Sequence, residues 1–364
     1  MQALFNPNWV TSSVRHHLVP NTYLKGWAVN GSTVYFIEKD EKDIDFTSKD
    51  YGRNTERLGR INHFYSRRAG ALFRDKNDCD MYFEPIKKHS YRVKIDGIEI
   101  NDTIELNDKF YLFDNWEIIN GTNNLITKEL KDSLKKEILA IHNSSLEEGW
   151  SRLVENDWPS VRNDLLSAVS KETGDIMTAV RKKDLVKFMV SMDWRTIPAP
   201  EPLLSLYNSF VQVLGIKDLL DSTIDEEDKM YPFIDTFNEE MLHNFLLKQF
   251  DKFFNEKGPI FLAAEKIYNE MVIELLVPPS GSEFITSDNP IFMYKDKDGK
   301  AEYMLPISPN LACAVRNAGE VEDIKNYYLT KLDKDQVYEY NETIKNNCNK
   351  WYILSQKSLK PYFK

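Results

Sequence analysis

The chain has 364 residues, of which 42% are apolar and 29% charged, and carries a net charge of −10. This length supports roughly two or three structural lobes around a sizeable core, and the composition excludes a disordered chain. It also excludes a protein that coats nucleic acid over its whole surface, and no apolar run approaches the length needed to span a bilayer.

The opening "MQALFNPNWV" has no cationic segment ahead of an apolar stretch, so no secretory signal is expected. Cys79, Cys313 and Cys348 are scattered and odd in number, which suits neither a zinc motif nor a disulfide framework. A cytoplasmic protein with no membrane partner is expected.

"SVRHHLVPNTYLKGWA", residues 13 to 28, sets Arg15, His16 and His17 before a Val-Pro step. Pro20 suits the first turn of a helix, whose N-terminus would favour an anion near Arg15 and lower a histidine's pKa. Adjacent side chains in extended chain point to opposite sides. Either one imidazole acts as ligand or base while the other packs, or both bond backbone carbonyls and fix the loop.

Asn30-Gly31 is a hairpin signal ahead of the β-rich "STVYFIEKD". Residues 51 to 76 carry Arg53, Arg57, Arg60, Arg67, Arg68, Arg74 and Lys76 among Phe64, Tyr65 and Phe73. Basic residues among aromatics can track a phosphate backbone and stack bases; the alternative is a solvated loop. "SYRVKIDGIEI" turns at Asp96-Gly97, and "KFYLFDNWEII" reads as a further strand, so residues 75 to 125 form an inserted hairpin lobe.

From Thr127 the period becomes helical through Leu130, Leu134, Ile138 and Ile141. It breaks near Asn143-Ser144 and resumes at Leu146, Trp150, Leu153 and Val154. On this phase Glu148 faces inward and Glu147 faces solvent. "KKDLVKFMVSMDWR" is a helix that stops at "TIPAPEP", and Arg195 continues its apolar face, where it needs an anionic partner. Helices follow at about 202 to 216 and 236 to 269. Between them, residues 218 to 240 hold nine acidic residues and read as a solvated linker or cap.

Strands return in "EMVIELLVPP", "SEFITSDNPIFMYK", "EYMLPISPNLACAVR" and "KWYILSQ", with a helix at about 333 to 348. The pattern predicts an α+β fold whose mixed sheet joins N- and C-terminal strands against a central helical bundle. Its parts are 1–74, 75–125, 126–270 and 271–364. Ser287-Asp288-Asn289-Pro290 ends a strand in a polar turn. There Asp288 either organises the turn or serves as a metal ligand or the carboxylate that orients a histidine. No phosphate-binding glycine loop, dinucleotide fingerprint, nucleophile elbow or His-Glu-x-x-His motif is present.

"HHLVPNTYLKGWA" resembles the opening His-His-x-Val-Pro-x-x-Tyr-Leu-x-x-Phe-Ala signature of the bacterial family catalogued as domain of unknown function 4238. "VYFIEKD", "NHFYS", "WRTIP", "FITSDNPIF", "LPISPNLACAV" and "VYEYNETIKNNCNKWYILS" follow in the family's order, so the likeness runs from about residue 14 to 356. Trp27 replaces the usual phenylalanine, and the stretch at 75 to 125 departs as an insertion. The resemblance implies a standalone bacterial protein and one pocket holding His16, His17, Arg195, Asp288, Asn289 and Asn341. It supplies no catalytic assignment. Asn341 could equally tie the last helix to the sheet.

The expectation is a metal-dependent phosphodiesterase, in form a nuclease and antiviral defence effector. Mg²⁺ or Mn²⁺ would sit on His17, Asp288 and Glu148, with His16 or His17 as base. Arg15 and Arg195 would stabilise phosphate charge, while Arg67, Arg68 and Asn289 hold the ligand. Its partners would be nucleic acid and a defence-system protein. The rival is a non-catalytic module that senses or binds an anionic ligand or a phage component. A third reading is a partner-dependent toxin with other transfer chemistry.

Overall fold

The computed structural model describes residues 5–6, 14–72, 75–196, 201–215, 220–226, 229, 231–295 and 301–364. Phe73, Arg74 and the 197–200 part of "TIPAPEP" lie outside the described residues, as does most of the opening segment.

The chain begins with β1 (Arg15–His17), a four-residue helix α1 (Asn21–Leu24) and β2 (Thr33–Glu38). Pro20 is the N-cap of α1, just outside the helix, and the helix is too short to carry a developed dipole. The anion site expected at its N-terminus is therefore not built. Gly31 supplies the positive φ of the turn before β2. β3 (Gly52–Asn54) pairs with β2, and β4 (Arg60–Asn62) pairs antiparallel with β1.

Residues 75 to 141 form a lobe with its own core. It contains α2 (Lys76–Tyr82), α3 (Glu84–Lys88), β5 (Arg92–Ile95), β6 (Ile98–Ile100), α4 (Thr103–Asp108), β7 (Glu117–Ile119) and α5 (Lys128–Leu139). The β5–β6 turn uses positive φ at Asp96 and Gly97, as the sequence predicts. "KFYLFDNWEII" differs from expectation, because Phe110–Asn115 is a 3₁₀ helix and only its end is a strand. Phe110, Phe113 and Trp116 recur every third residue, and a three-residue turn sends all three into the lobe core. Leu134 and Ile138 of α5 pack into that core too, so the lobe runs past the expected boundary at 125.

The helical region follows. α6 (Ser145–Trp150) continues into a π-helical turn, Ser151–Glu155, then come α7 (Trp158–Lys171), β8 (Ile176–Thr178), α8 (Lys182–Arg195) and α9 (Glu201–Leu214). α10 (Phe237–Phe254) starts on a Thr236/Glu239 capping box, and α11 (Gly258–Glu270) begins after a break where Glu256 and Gly258 take positive φ. The acidic stretch behaves as a cap: Ile224, Tyr231 and Ile234 pack on Ala71, and the Tyr231 hydroxyl donates to the Ser66 carbonyl at 2.5 Å.

The last part contributes β9 (Met271–Val277), β10 (Thr286–Ser287), β11 (Phe292–Lys295), β12 (Ala301–Ser308), β13 (Leu311–Asn317), β14 (Asn326–Lys331), α12 (Lys334–Asn347) and β15 (Trp351–Leu354). A six-stranded mixed sheet has the order β11-β12-β13-β9-β14-β8, with β9 and β14 parallel. Alternation along β12 and β13 divides the interior. Leu305, Ile307, Cys313 and Val315 face the helices, whereas Met304, Ala312 and Ala314 face α12 and the second sheet. That second sheet, β10-β15-β2-β3, joins the two ends of the chain. The fold is α+β. Among the described residues no helix is long and apolar enough to cross a membrane.

Candidate functional site

The histidine pair lies on the two-stranded β1–β4 ribbon, and strand alternation separates the two rings. His16 is fully buried, its Nδ1 accepts the Tyr65 N–H at 2.8 Å, and its ring stacks on Tyr65. His17 points to the other side, directly across from Arg60 in the ladder. There Arg60 Nε donates to His17 Nε2 at 2.9 Å. Burial, with Arg60 and Arg195 adding to it, lowers the His17 pKa to about 4, against a backbone hydrogen bond at Glu56. His17 is thus a neutral imidazole whose Nε2 lone pair is already taken.

Arg195, at the end of α8, passes beneath this ribbon with no exposed side-chain surface. Its Nη2 donates to the His17 carbonyl at 2.6 Å, its Nε to the Tyr65 hydroxyl at 3.0 Å, and its Nη1 lies 2.6 Å from Glu155 Oε1. The guanidinium also rests 4.4 Å from the Trp150 ring centroid. Burial opposes its charge, but Tyr65, Glu155 and Glu147 outweigh that and raise its pKa. The inward-facing arginine expected from the helix pattern is there, and it is neutralised internally.

The glutamate that enters the site is Glu147, and Glu148 instead pairs with Arg152 at 2.5 Å on the outer face. The expected assignment is reversed because the helix ends at Leu139 and the chain restarts its helical phase at Ser145. Burial and then Glu155 push the Glu147 pKa up to about 8, only partly offset by Arg195. Its Oε2 is buried without a hydrogen-bond partner. Arg60 is half-buried, and among the described residues its Nη groups have no hydrogen-bond partner.

The other expected residues are committed elsewhere. The Asp288 carboxylate accepts the Asn349 and Lys350 N–H groups at 2.8 and 2.7 Å, which makes it the organiser of the turn before β15. Asn289 Oδ1 accepts from Thr196 at 3.0 Å, and its amide donates to the Asn347 carbonyl at 3.2 Å, fastening the end of α8 to α12. Asn341 is a buried anchor that bonds the Glu283 and Tyr362 carbonyls and the Ile285 N–H. The chain ends do meet, through Tyr23 Oη to Thr286 Oγ1 at 2.7 Å and Trp27 Nε1 to the Phe284 carbonyl at 2.8 Å. No hydrogen bond or ion pair links Asp288 to either histidine.

Within the basic, aromatic stretch the described side chains divide, Arg53 and Arg57 being exposed and others packed inside. Phe64 and Tyr65 are buried and cannot stack bases, Arg67 forms a buried pair with Asp78 at 3.1 Å, and Arg68 donates to the Lys229 carbonyl at 2.8 Å. Arg53 bonds the Asp50 and Gly52 carbonyls. Arg15 is exposed on β1, opposite Asn62. The expected Mg²⁺ or Mn²⁺ ligands do not converge, since His17, Glu148 and Asp288 each have a separate partner. Among the described residues no group of three or more His, Cys, Asp or Glu could hold a metal.

The family model described as "Protein of unknown function (DUF4238)" matches residues 15–358. The chain belongs to the DUF4238 family. No curated protein and no solved structure matches it. Within this DUF4238 protein the matched span includes every residue of the Arg60 cluster. Sequence reading missed Glu147 and Glu155 as site residues and named Arg60 and Tyr65 only as members of the basic, aromatic stretch. The signal for Arg60 was its place in "GRINHFYS", a short polar strand beside the histidine strand. Glu147 lay behind the helix break at 140–144 and Glu155 within a change of helix type, and periodicity registers neither.

Proposed function

We propose that this DUF4238 protein recognises an anionic ligand at Arg60 as a metal-independent binding module. The observation that carries this reading is the Arg60–His17 contact. A neutral imidazole holds the guanidinium by its Nε and leaves the Nη fork unpartnered and half-buried. A pre-oriented fork of this kind suits a phosphoryl or carboxylate group. Glu147, protonated at neutral pH, would add an O–H donor rather than a repelling charge. A phosphodiesterase metal held by His17, Glu148 and Asp288 finds less support, because these three bond Arg60, Arg152 and the Asn349 N–H separately. A cytoplasmic setting is part of the proposal, supported by three buried cysteines that form no disulfide.

Calorimetric titration with inorganic phosphate, AMP and a 5′-phosphorylated RNA oligonucleotide, in Mg²⁺ and in EDTA, tests the reading. Binding of at least one probe that survives EDTA and is lost in Arg60→Gln supports it. No binding of any probe, or Mg²⁺-dependent strand cleavage, overturns it.

A further inference from the structure

Away from the Arg60 site, the end of α10 and the facing sides of α8 and α11 enclose a cavity of about 290 Å³. Its walls are apolar, formed by Phe253, Phe254, Phe261, Ala264 and Leu153, with Phe5 stacked on Phe254 at 5.1 Å. The polar lining groups include Lys183, Lys187, Glu256 and Glu265. Lys183 is exposed, whereas Lys187 is half-buried.

Two lysines of one helix are treated differently. The Lys182 ammonium donates to three backbone carbonyls, of Tyr268 at 2.9 Å, Met271 at 3.1 Å and Ile324 at 2.6 Å. The Lys187 ammonium has no hydrogen bond or ion pair among the described residues, and Glu256 and Asp184 act on it only at a distance. Burial lowers its pKa. An ammonium held against an aromatic cavity without a partner is the arrangement that an incoming anion would complete.

We propose that this cavity binds an amphipathic monocarboxylate, its apolar body among the phenylalanines and its carboxylate on Lys187. A single negative charge fits better than a phosphate dianion, because Glu256 and Glu265 share the lining. The volume lies at the lower edge of the roughly 300–1,000 Å³ of small-ligand pockets, which suits an acid of about eight to ten carbons.

The test is calorimetric titration of the full chain with octanoate and, as the uncharged control, 1-octanol. Octanoate is expected to saturate one site. Lys187→Met should weaken it about tenfold, a loss near 1.4 kcal/mol, while 1-octanol changes by less than about twofold, and Lys187→Arg should retain octanoate binding. Ala264→Leu, which fills part of the cavity, should weaken both probes. Lys187→Met removes an unpaired, half-buried charge, so its melting temperature should not fall below that of the parent chain. A lost titration in a protein that melts normally then reports on the ligand. Failure of octanoate to bind, or equal binding by the parent and Lys187→Met, overturns the proposal.

Discussion

Arg60 Nε donates to His17 Nε2 at 2.9 Å across one rung of the β1–β4 ribbon, so the imidazole serves as an acceptor that aims a guanidinium. His17→Ala should therefore leave Arg60 charged but disordered, and weaken phosphate binding by about tenfold or less. Arg60→Gln should abolish it. Calorimetry on the two variants, with equal melting temperatures as a fold control, checks the order. A larger loss from His17→Ala would return the imidazole to a direct role.

Acid should destabilise the protein through its neutral histidines. Burial holds His17, His142 and His243 each at about 4, below the ordinary 6.5. Between those values the unfolded chain binds more protons than the folded one, so this stability is present above pH 6.5 and is lost as pH falls through 4. The melting temperature is expected to drop steeply between pH 6.5 and 4.5, and His243→Gln to flatten the slope. An unchanged slope would show that His243 titrates normally.

Glu147 works in the opposite sense. Its folded pKa of about 8 exceeds the ordinary 4.5, so its contribution is fully present below 4.5 and is lost as pH rises through 8. Glu147→Gln should match the parent near pH 4 and be more stable by about 2 kcal/mol near pH 6. Urea unfolding at the two pH values measures the difference.

Arg195→Met should cost about 3–5 kcal/mol, because it leaves Glu155 without its buried partner. Adding Glu155→Met should recover part of that loss. A double-mutant cycle by chemical denaturation reads the coupling, and additive losses would show that the pair is not coupled.

Asp288→Ala should cost about 1 kcal/mol, since water can reach the Asn349 and Lys350 N–H groups that it now caps. Anion affinity should stay within about twofold of the parent value. A loss of binding with the fold intact would place Asp288 in the site after all.

Much of the architecture was legible in the residues because it depends on local period and turn chemistry. The strands of "EYMLPISPNLACAVR", the stripe of "KKDLVKFMVSMDWR" and the opposed directions of His16 and His17 all appear as read. The joining of early and late strands in one sheet was also legible in outline, but that sheet is antiparallel, and the mixed sheet is a separate one without N-terminal strands. What a polar side chain does was decided only in three dimensions. Glu147 rather than Glu148 turns inward because a break at 140–144 resets the helical phase. Phe64, Tyr65 and Arg67 look like a nucleic-acid band until His16, Asp78 and the acidic cap close over them. Hydrophobic period is set by neighbours three or four positions away, whereas an ion's role is set by partners such as Arg195 and Glu155, 40 positions apart, and no local pattern encodes that meeting.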